Sequence, residues 1–247
     1  VMGFDARQAT ESEIDSMCSL VEAAMSAGAM GISTGLEYSP GRHASENELI
    51  QLAKVVGKHG GIYSSHIRER GDNFVEAVTE ALTISKHGEL PAQLSHLAPR
   101  PYAAPEIFDR VLESISEYRN EGNLIGIDTF PDPWGPAHLL DLVPPWVYEG
   151  SDKIVLQRLR DKRTADKCRE YILNGGNFLL KVSGFDKFFL SYSKSHPELM
   201  NHSIKHISDI WNIDIVETIF RLAADDEDDF GSVLIRHIFS TTEDLDK

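Results

Sequence analysis

Two histidines stand in the same dipeptide thirty residues apart. Ser65-His66 closes the run GIYSSH, and Ser95-His96 closes PAQLSH. Each pair ends a short apolar run and is followed by a loop and a helical pattern. Imidazole is the commonest metal ligand of the neutral side chains, and adjacent strands of a sheet lie about 5 Å apart. Histidines at the same level of neighbouring strands can therefore share one zinc ion, each at about 2.0–2.1 Å. The plainer reading is a strand-end histidine satisfied by a backbone carbonyl. Asp128, in the next strand-like run NLIGIDTF, adds a polar side chain at the same kind of position and favours the shared site.

Arg68 follows His66 by two residues, and Arg100 follows His96 by four. A guanidinium beside a metal site can grip a substrate carboxylate through two parallel hydrogen bonds. For Arg68, a salt bridge to Glu69 or Asp72 is an equal alternative. Tyr38, in STGLEYSPG, either lines a pocket or packs beneath its loop. A Ser-His-Asp arrangement is set aside. Adjacent strand residues face opposite sides of a sheet, and neither Ser65 nor Ser95 lies in a GxSxG elbow.

These residues need elements to hold them at one level. TESEIDSMCSLVEAAMSAG puts Ile14, Met17, Cys18, Val21 and Met25 on one helical face, opened by a Thr10/Glu13 capping box and closed by Gly28. AMGISTG follows as a strand. Ser45 and Glu48 open a second helix by another capping box, and Gly60 ends it. GIYSSH, PAQLSH and NLIGIDTF are further strands. Between them lie a helix capped by Asp72 or Asn73 and stopped by Gly88, and a helix with Pro105 in its first turn. Strands alternating with helices at a pitch near thirty residues imply parallel βαβ units. No GxGxxG or GxxxxGK[ST] loop occurs, which disfavours a nucleotide-binding sheet. Functional side chains at C-terminal strand ends favour a (β/α)₈ barrel.

The rhythm breaks at PDPWGPAHLLDLVPPWVYEG, where five prolines and two tryptophans read as an ordered, non-repetitive lid or insertion. Amphipathic helix over SDKIVLQRLRDKRTADKCREYIL comes next, then a candidate strand in GNFLLKVSGF. One or two helices follow in IKHISDIWNIDIVETIFRLAAD, and GSVLIRHIFST reads as a strand or a buried connection. The expected organisation is therefore barrel βα units over 1–135, about strands four to seven. A lid or insertion with helices occupies 136–230, and 231–247 connects toward a last strand.

The chain of 247 residues carries 39 acidic against 24 basic residues, a formal charge of −15. Such a balance opposes nucleic-acid or anionic-membrane partners, which need a basic face. Five acids run from Asp225 to Asp229 and read as a solvated loop. Two cysteines, Cys18 and Cys168, build no disulfide framework and fit a reducing, cytoplasmic setting. No apolar run approaches the ~20 residues of a spanning helix.

The stretch GAMGISTGLEYSPGRHASENELIQLAKVVGKHGGIYSSHIRERGDNFVEAVTEAL, followed by PAQLSHLAP, resembles the N-acyl-D-amino-acid deacylases (D-aminoacylases) of the amidohydrolase superfamily. The shared pattern is G-[LIM]-S-[ST]-G-L-x-Y-x-P-G, then a strand ending T-H-[MI]-R, then one ending S-H. The likeness is strong over Val1 to Pro131 and weak beyond. It implies part of a metal-dependent (β/α)₈ TIM-type barrel with parallel strands and a helical insertion. It also implies hydrolysis of the amide bond of small N-acyl-D-amino acids, with one or two zinc ions in the complete protein. By resemblance, His66 and His96 are zinc ligands on the fifth and sixth strands. Tyr38 is the tyrosine of the G-L-x-Y segment, and Asp128 and Phe130 fall in the D-x-Y-P-Y run that lines the substrate pocket.

This chain departs from the pattern at several points. Ala98 stands where the family often has a carboxylate-binding lysine, and Asp128-Thr129-Phe130-Pro131-Asp132 lacks both tyrosines. Carboxylate recognition then falls to Arg68 or Arg100, or the substrate differs. No H-x-H occurs, and the strand-eight aspartate that serves as general base is expected beyond residue 247. Both ends read as cut from a longer protein, so no catalytic base is expected within this segment, and negligible turnover is expected of it alone. Its two unpaired sheet edges leave room for self-association. Rival readings are a cyclic-amide hydrolase of the dihydroorotase or hydantoinase type and a barrel remnant without a metal.

Overall fold

The computed structural model describes residues 1–3, 5–176, 184–228, 230–238 and 242–245. These form two compact units, Val1–Pro131 with Glu243–Lys247, and Asp132–Thr242.

The first unit is built of βα repeats. Helix α1 (Glu11–Ser26) begins at the Thr10/Glu13 capping box and precedes β1 (Gly31–Gly35). Helix α2 (Glu46–Lys58) leads to β2 (Ile62–His66), α3 (Phe74–Gly88) to β3 (Ala92–Leu94), and α4 (Pro105–Asn120) to β4 (Ile125–Ile127). The strands make one parallel sheet in the order β1-β2-β3-β4. Tyr63, Ala92, Leu94 and Ile125 turn to the face where Ala53, Val56, Val78, Ala81, Phe108, Val111 and Ile115 of the helices pack. Burying each large side chain of this layer stabilises by about 1.5–3 kcal/mol. The opposite face carries Ser33, Ser64, Gln93 and Gly126, which are paired across the four strands at one level.

Two caps differ from expectation. Ser45 accepts from Glu48 N, but no reciprocal bond closes a box; the Glu48 side chain bonds the backbone of Ala9 instead. At α3 neither Asp72 nor Asn73 caps with its side chain; the Glu69 carboxylate accepts from the backbone N–H groups of Gly71 and Asn73. That carboxylate ties down the turn leading into the helix and satisfies the N–H of the N-cap residue itself.

The second unit centres on an antiparallel sheet, β5-β7-β6, of Trp134–His138, Leu234–Ile238 and Phe189–Tyr192. The expected connection over 231–247 therefore contains the central strand, with Ile235 and His237 buried. The amphipathic run at 151–173 is two helices, α5 (Asp152–Leu159) and α6 (Lys162–Leu173), because Asp161 caps a new start by accepting from Thr164 N. Likewise α7 (Ile204–Trp211) and α8 (Ile215–Asp225) are separated by left-handed Asn212 and the Asp214 cap. The strand expected in GNFLLKVSGF falls largely on 177–183, outside the described residues; strand β6 lies just after it. The acidic run is not simply solvated. Asp226 is buried and accepts from Ser193 Oγ and from the backbone N–H groups of Lys194 and Ser195, while Asp225 meets His196.

Candidate metal and substrate site

The two Ser-His pairs are not structurally equivalent. Ser65 pairs with Leu94 in the β2–β3 register, so His66 ends β2 while His96 lies one step further along than its counterpart. Alternation should then send His96 to the wrong face. It does not, because His96 adopts a left-handed backbone with φ 41°. For a non-glycine residue that conformation costs about 1–2 kcal/mol, so neighbours must hold it.

Asp128 supplies the hold. Its Oδ1 accepts from His96 N at 2.7 Å, and its backbone carbonyl accepts from Leu97 N at 2.7 Å. Gln93 Nε2 donates to Asp128 Oδ2 at 2.7 Å and fixes the carboxylate from below. Gln93 can reach there because residue 126 is glycine; a β-carbon at that position would overlap Gln93 Oε1. Arg70 Nη1 donates to the His96 carbonyl at 3.3 Å.

With the backbone so turned, the imidazoles of His66 and His96 meet edge to face with centroids 4.4 Å apart. Tyr38 lies 4.9 Å from His66 on one side, and Phe130 stacks 5.6 Å from His96 on the other. The sequence-predicted residues Tyr38, His66, His96 and Phe130 thus form one row of rings across the strand ends, with Asp128 beneath it. Ser64 and Ser95 bond to one another at 3.3 Å below the histidines.

Both arginines are engaged within the protein. Arg68 pairs with neither Glu69 nor Asp72. Its Nε and Nη2 lie on Glu80, and Nη1 and Nη2 donate to the carbonyls of Arg42 and Ala44. The carboxylate-gripping expectation for Arg68 thus meets a guanidinium already bound to a helix and a loop. Arg100 is 2% exposed, and its Nη2 donates to both oxygens of Glu37 at 2.8 and 2.9 Å.

Sequence reasoning missed Glu37, Arg70, Gln93 and Gly126. Glu37 is the residue before Tyr38, and its side chain is 7% exposed. Besides Arg100 it meets Arg70 Nη2 at 3.4 Å and His66 Nε2 at 2.6 Å. The available signal was an acid and two arginines in three successive strand-end loops, a pattern seen only when the strands are aligned.

Electrostatics follow from burial. Burial would raise the Glu37 carboxyl, but Arg100, the His66 bond and Arg70 outweigh it and hold the group well below the usual carboxylate range. Burial lowers His66, with Glu37 partly opposing. Burial, Arg70 and His66 together bring His96 down to about 4. Both imidazoles are therefore neutral at pH 7, as metal ligation requires. Burial brings Arg70 to about 10, still charged at neutral pH.

Two neutral imidazoles this close can each direct one nitrogen to a common point, as tetrahedral zinc demands. They fit as part of a zinc site. Among the described residues no group of three or more His, Cys, Asp or Glu side chains is placed to hold a metal ion, so His66 and His96 would supply a partial ligand set.

Four parallel strands flanked by helices, with His66 at the end of β2 and His96 just beyond β3, make up part of an α/β barrel. The chain superposes on an N-acyl-D-glutamate deacylase from Bordetella bronchiseptica, solved with zinc and a phosphonate mimic of the tetrahedral intermediate, with a TM-score of 0.71. Identity there is 23%, over 97% of this chain and 41% of that one. By sequence it is 41% identical over 90 residues to a D-aminoacylase of Alcaligenes xylosoxydans xylosoxydans, covering 36% of this chain and 19% of that protein. It is 27% identical over 220 residues to an N-acyl-D-glutamate deacylase of the same organism, covering 88% of this chain and 37% of that protein. The chain is thus similar to N-acyl-D-amino-acid deacylases, and it spans less than half the length of these proteins. No family model matches it. No described helix is long and apolar enough to cross a membrane.

Proposed function

We propose that these residues form part of the active site of a zinc-dependent hydrolase that cleaves the amide bond of N-acyl-D-amino acids. The observation that carries the proposal is the 4.4 Å approach of His66 and His96 at the ends of neighbouring parallel strands. The names of the relatives support the substrate class. His66 and His96 are the ligands, neutral and held by Glu37 and Asp128. Zinc, when bound, would supply Lewis-acid polarisation of the scissile carbonyl and of water. Tyr38 and Phe130 wall the site on either side of the histidines and present ring surface to the acyl or side-chain groups of the substrate. The general base assigned by resemblance is an aspartate outside these 247 residues. It takes the proton of the attacking water and returns it to the leaving amine.

The test is hydrolysis of N-acetyl-D-amino acids by the natural protein, run beside hydantoin ring opening. Release of free D-amino acid, abolished in His66→Ala and His96→Ala, is the expected result. Ring opening without deacylation would move the protein to the cyclic-amide hydrolases. Neither activity, in a protein that binds no zinc, would leave a barrel remnant.

A further inference from the structure

We propose that Glu37, gripped by Arg70 and Arg100, is a positioning residue that fixes the tautomer of His66, placing the ring proton on Nε2 and keeping Nδ1 as the basic nitrogen. The proposal deepens the zinc-hydrolase reading and rests on it for the nature of the ligand. The argument is one of donors and acceptors. Glu37 Oε2 lies 2.6 Å from His66 Nε2, a hydrogen-bond distance that needs one proton between them. Arginine only donates, and an ionised carboxylate only accepts. Arg100 Nη2 donates to both Glu37 oxygens, and Arg70 Nη2 reaches Oε2 at 3.4 Å. The carboxylate between two guanidinium groups is therefore the acceptor, and the proton belongs to Nε2. A neutral imidazole has one N–H, so Nδ1 carries the lone pair. Among the described residues Nδ1 makes no hydrogen bond, while the side chain stays 17% exposed.

The clamp is also stiff. Glu37 follows β1, Arg70 follows β2, and Arg100 follows β3. The three side chains are 7%, 1% and 2% exposed. Turning the carboxylate away from His66 would strand buried charge, so the acceptor stays in place. Metal-ligating histidines are commonly oriented by such an outer carboxylate, whose loss costs about 10–100-fold in metal affinity.

The experiment is two-bond ¹⁵N–¹H correlation NMR on the histidine-labelled, metal-stripped natural protein, with His66→Ala identifying the resonance. The wild type should show His66 as the Nε2–H tautomer. In Glu37→Gln the amide should turn its oxygen to the donor-only arginines and its NH₂ to His66. That reverses the ring to Nδ1–H, and zinc affinity measured by chelator competition should fall about 10–100-fold. If that variant does not fold, the wild-type tautomer alone decides. An Nδ1–H tautomer in the wild type overturns the proposal. So does a Glu37 oxygen bound directly to zinc in metal-loaded crystals, or an unchanged tautomer and affinity in Glu37→Gln. A wild type that shows the Nε2–H tautomer but binds no zinc would refute the hydrolase reading and leave Glu37's hold on His66 standing.

Discussion

Replacing Arg100 with alanine separates a substrate-binding role from a structural one. Arg100 Nη2 lies 2.8 and 2.9 Å from the two oxygens of Glu37, and the side chains are 2% and 7% exposed. Breaking a buried pair by removing one partner costs about 3–5 kcal/mol, because the other charge is left uncompensated. Here Arg70 and His66 remain on the carboxylate, so the loss should sit at the low end, about 3 kcal/mol. For a chain of 150–250 residues each kcal/mol moves Tm by about 2–4 °C, so Tm should fall by roughly 6–12 °C. The assay is thermal unfolding of the natural protein by near-ultraviolet circular dichroism, beside steady-state kinetics on an N-acyl-D-amino acid. A residue that grips the substrate carboxylate would give the opposite pattern, with KM raised and unfolding unmoved. A Tm within about 2 °C of wild type, together with raised KM, would refute the clamp.

Two further outcomes follow from named contacts. Asp128→Ala removes the acceptor that holds His96 at φ 41°, so zinc affinity should drop about 10-fold or more while Asp128→Asn, which keeps an acceptor, loses less; isothermal titration with zinc reads both. Burial would raise the Asp226 carboxyl, but hydrogen bonds from Ser195, Ser193 and Lys194 outweigh it and depress its pKa. A depressed folded-state pKa contributes stability that is fully present above the unfolded value of about 3.9 and lost as pH falls through the folded one. Urea unfolding should therefore find Asp226→Asn less stable than wild type at pH 7, with the deficit shrinking below about pH 4; a deficit constant with pH would contradict this.

The βα rhythm of the first unit was legible because each signal is local. Thr10 with Glu13, Pro105 at a helix start, and glycines after α1 and α2 act within a turn of their own position. The two histidines were legible as residues at the C-terminal side of neighbouring strands, and the closeness of their rings followed from strand spacing. How His96 gets there was not legible. The register puts it on the wrong face, and the correction depends on Asp128 from the neighbouring strand, on Gln93 from its own strand, and on the missing side chain of Gly126. Glu37 and Arg70 were hidden for the same reason. A charge looks exposed in sequence until partners 33 and 63 residues away bury it. In the second unit, short strands with irregular turns carry little periodicity, so β7 read equally as strand or connection, and the acidic run gave no hint that Asp226 caps the 193–195 loop.

The most direct measurement is the zinc content of the natural protein and of its His66→Ala and His96→Ala variants, by plasma emission spectrometry after dialysis, with folding verified by circular dichroism. The shared-ligand account predicts at least about one zinc per wild-type chain and a loss of most of it in each folded variant. Variants that fold and retain the wild-type content would show that these imidazoles do not hold the metal.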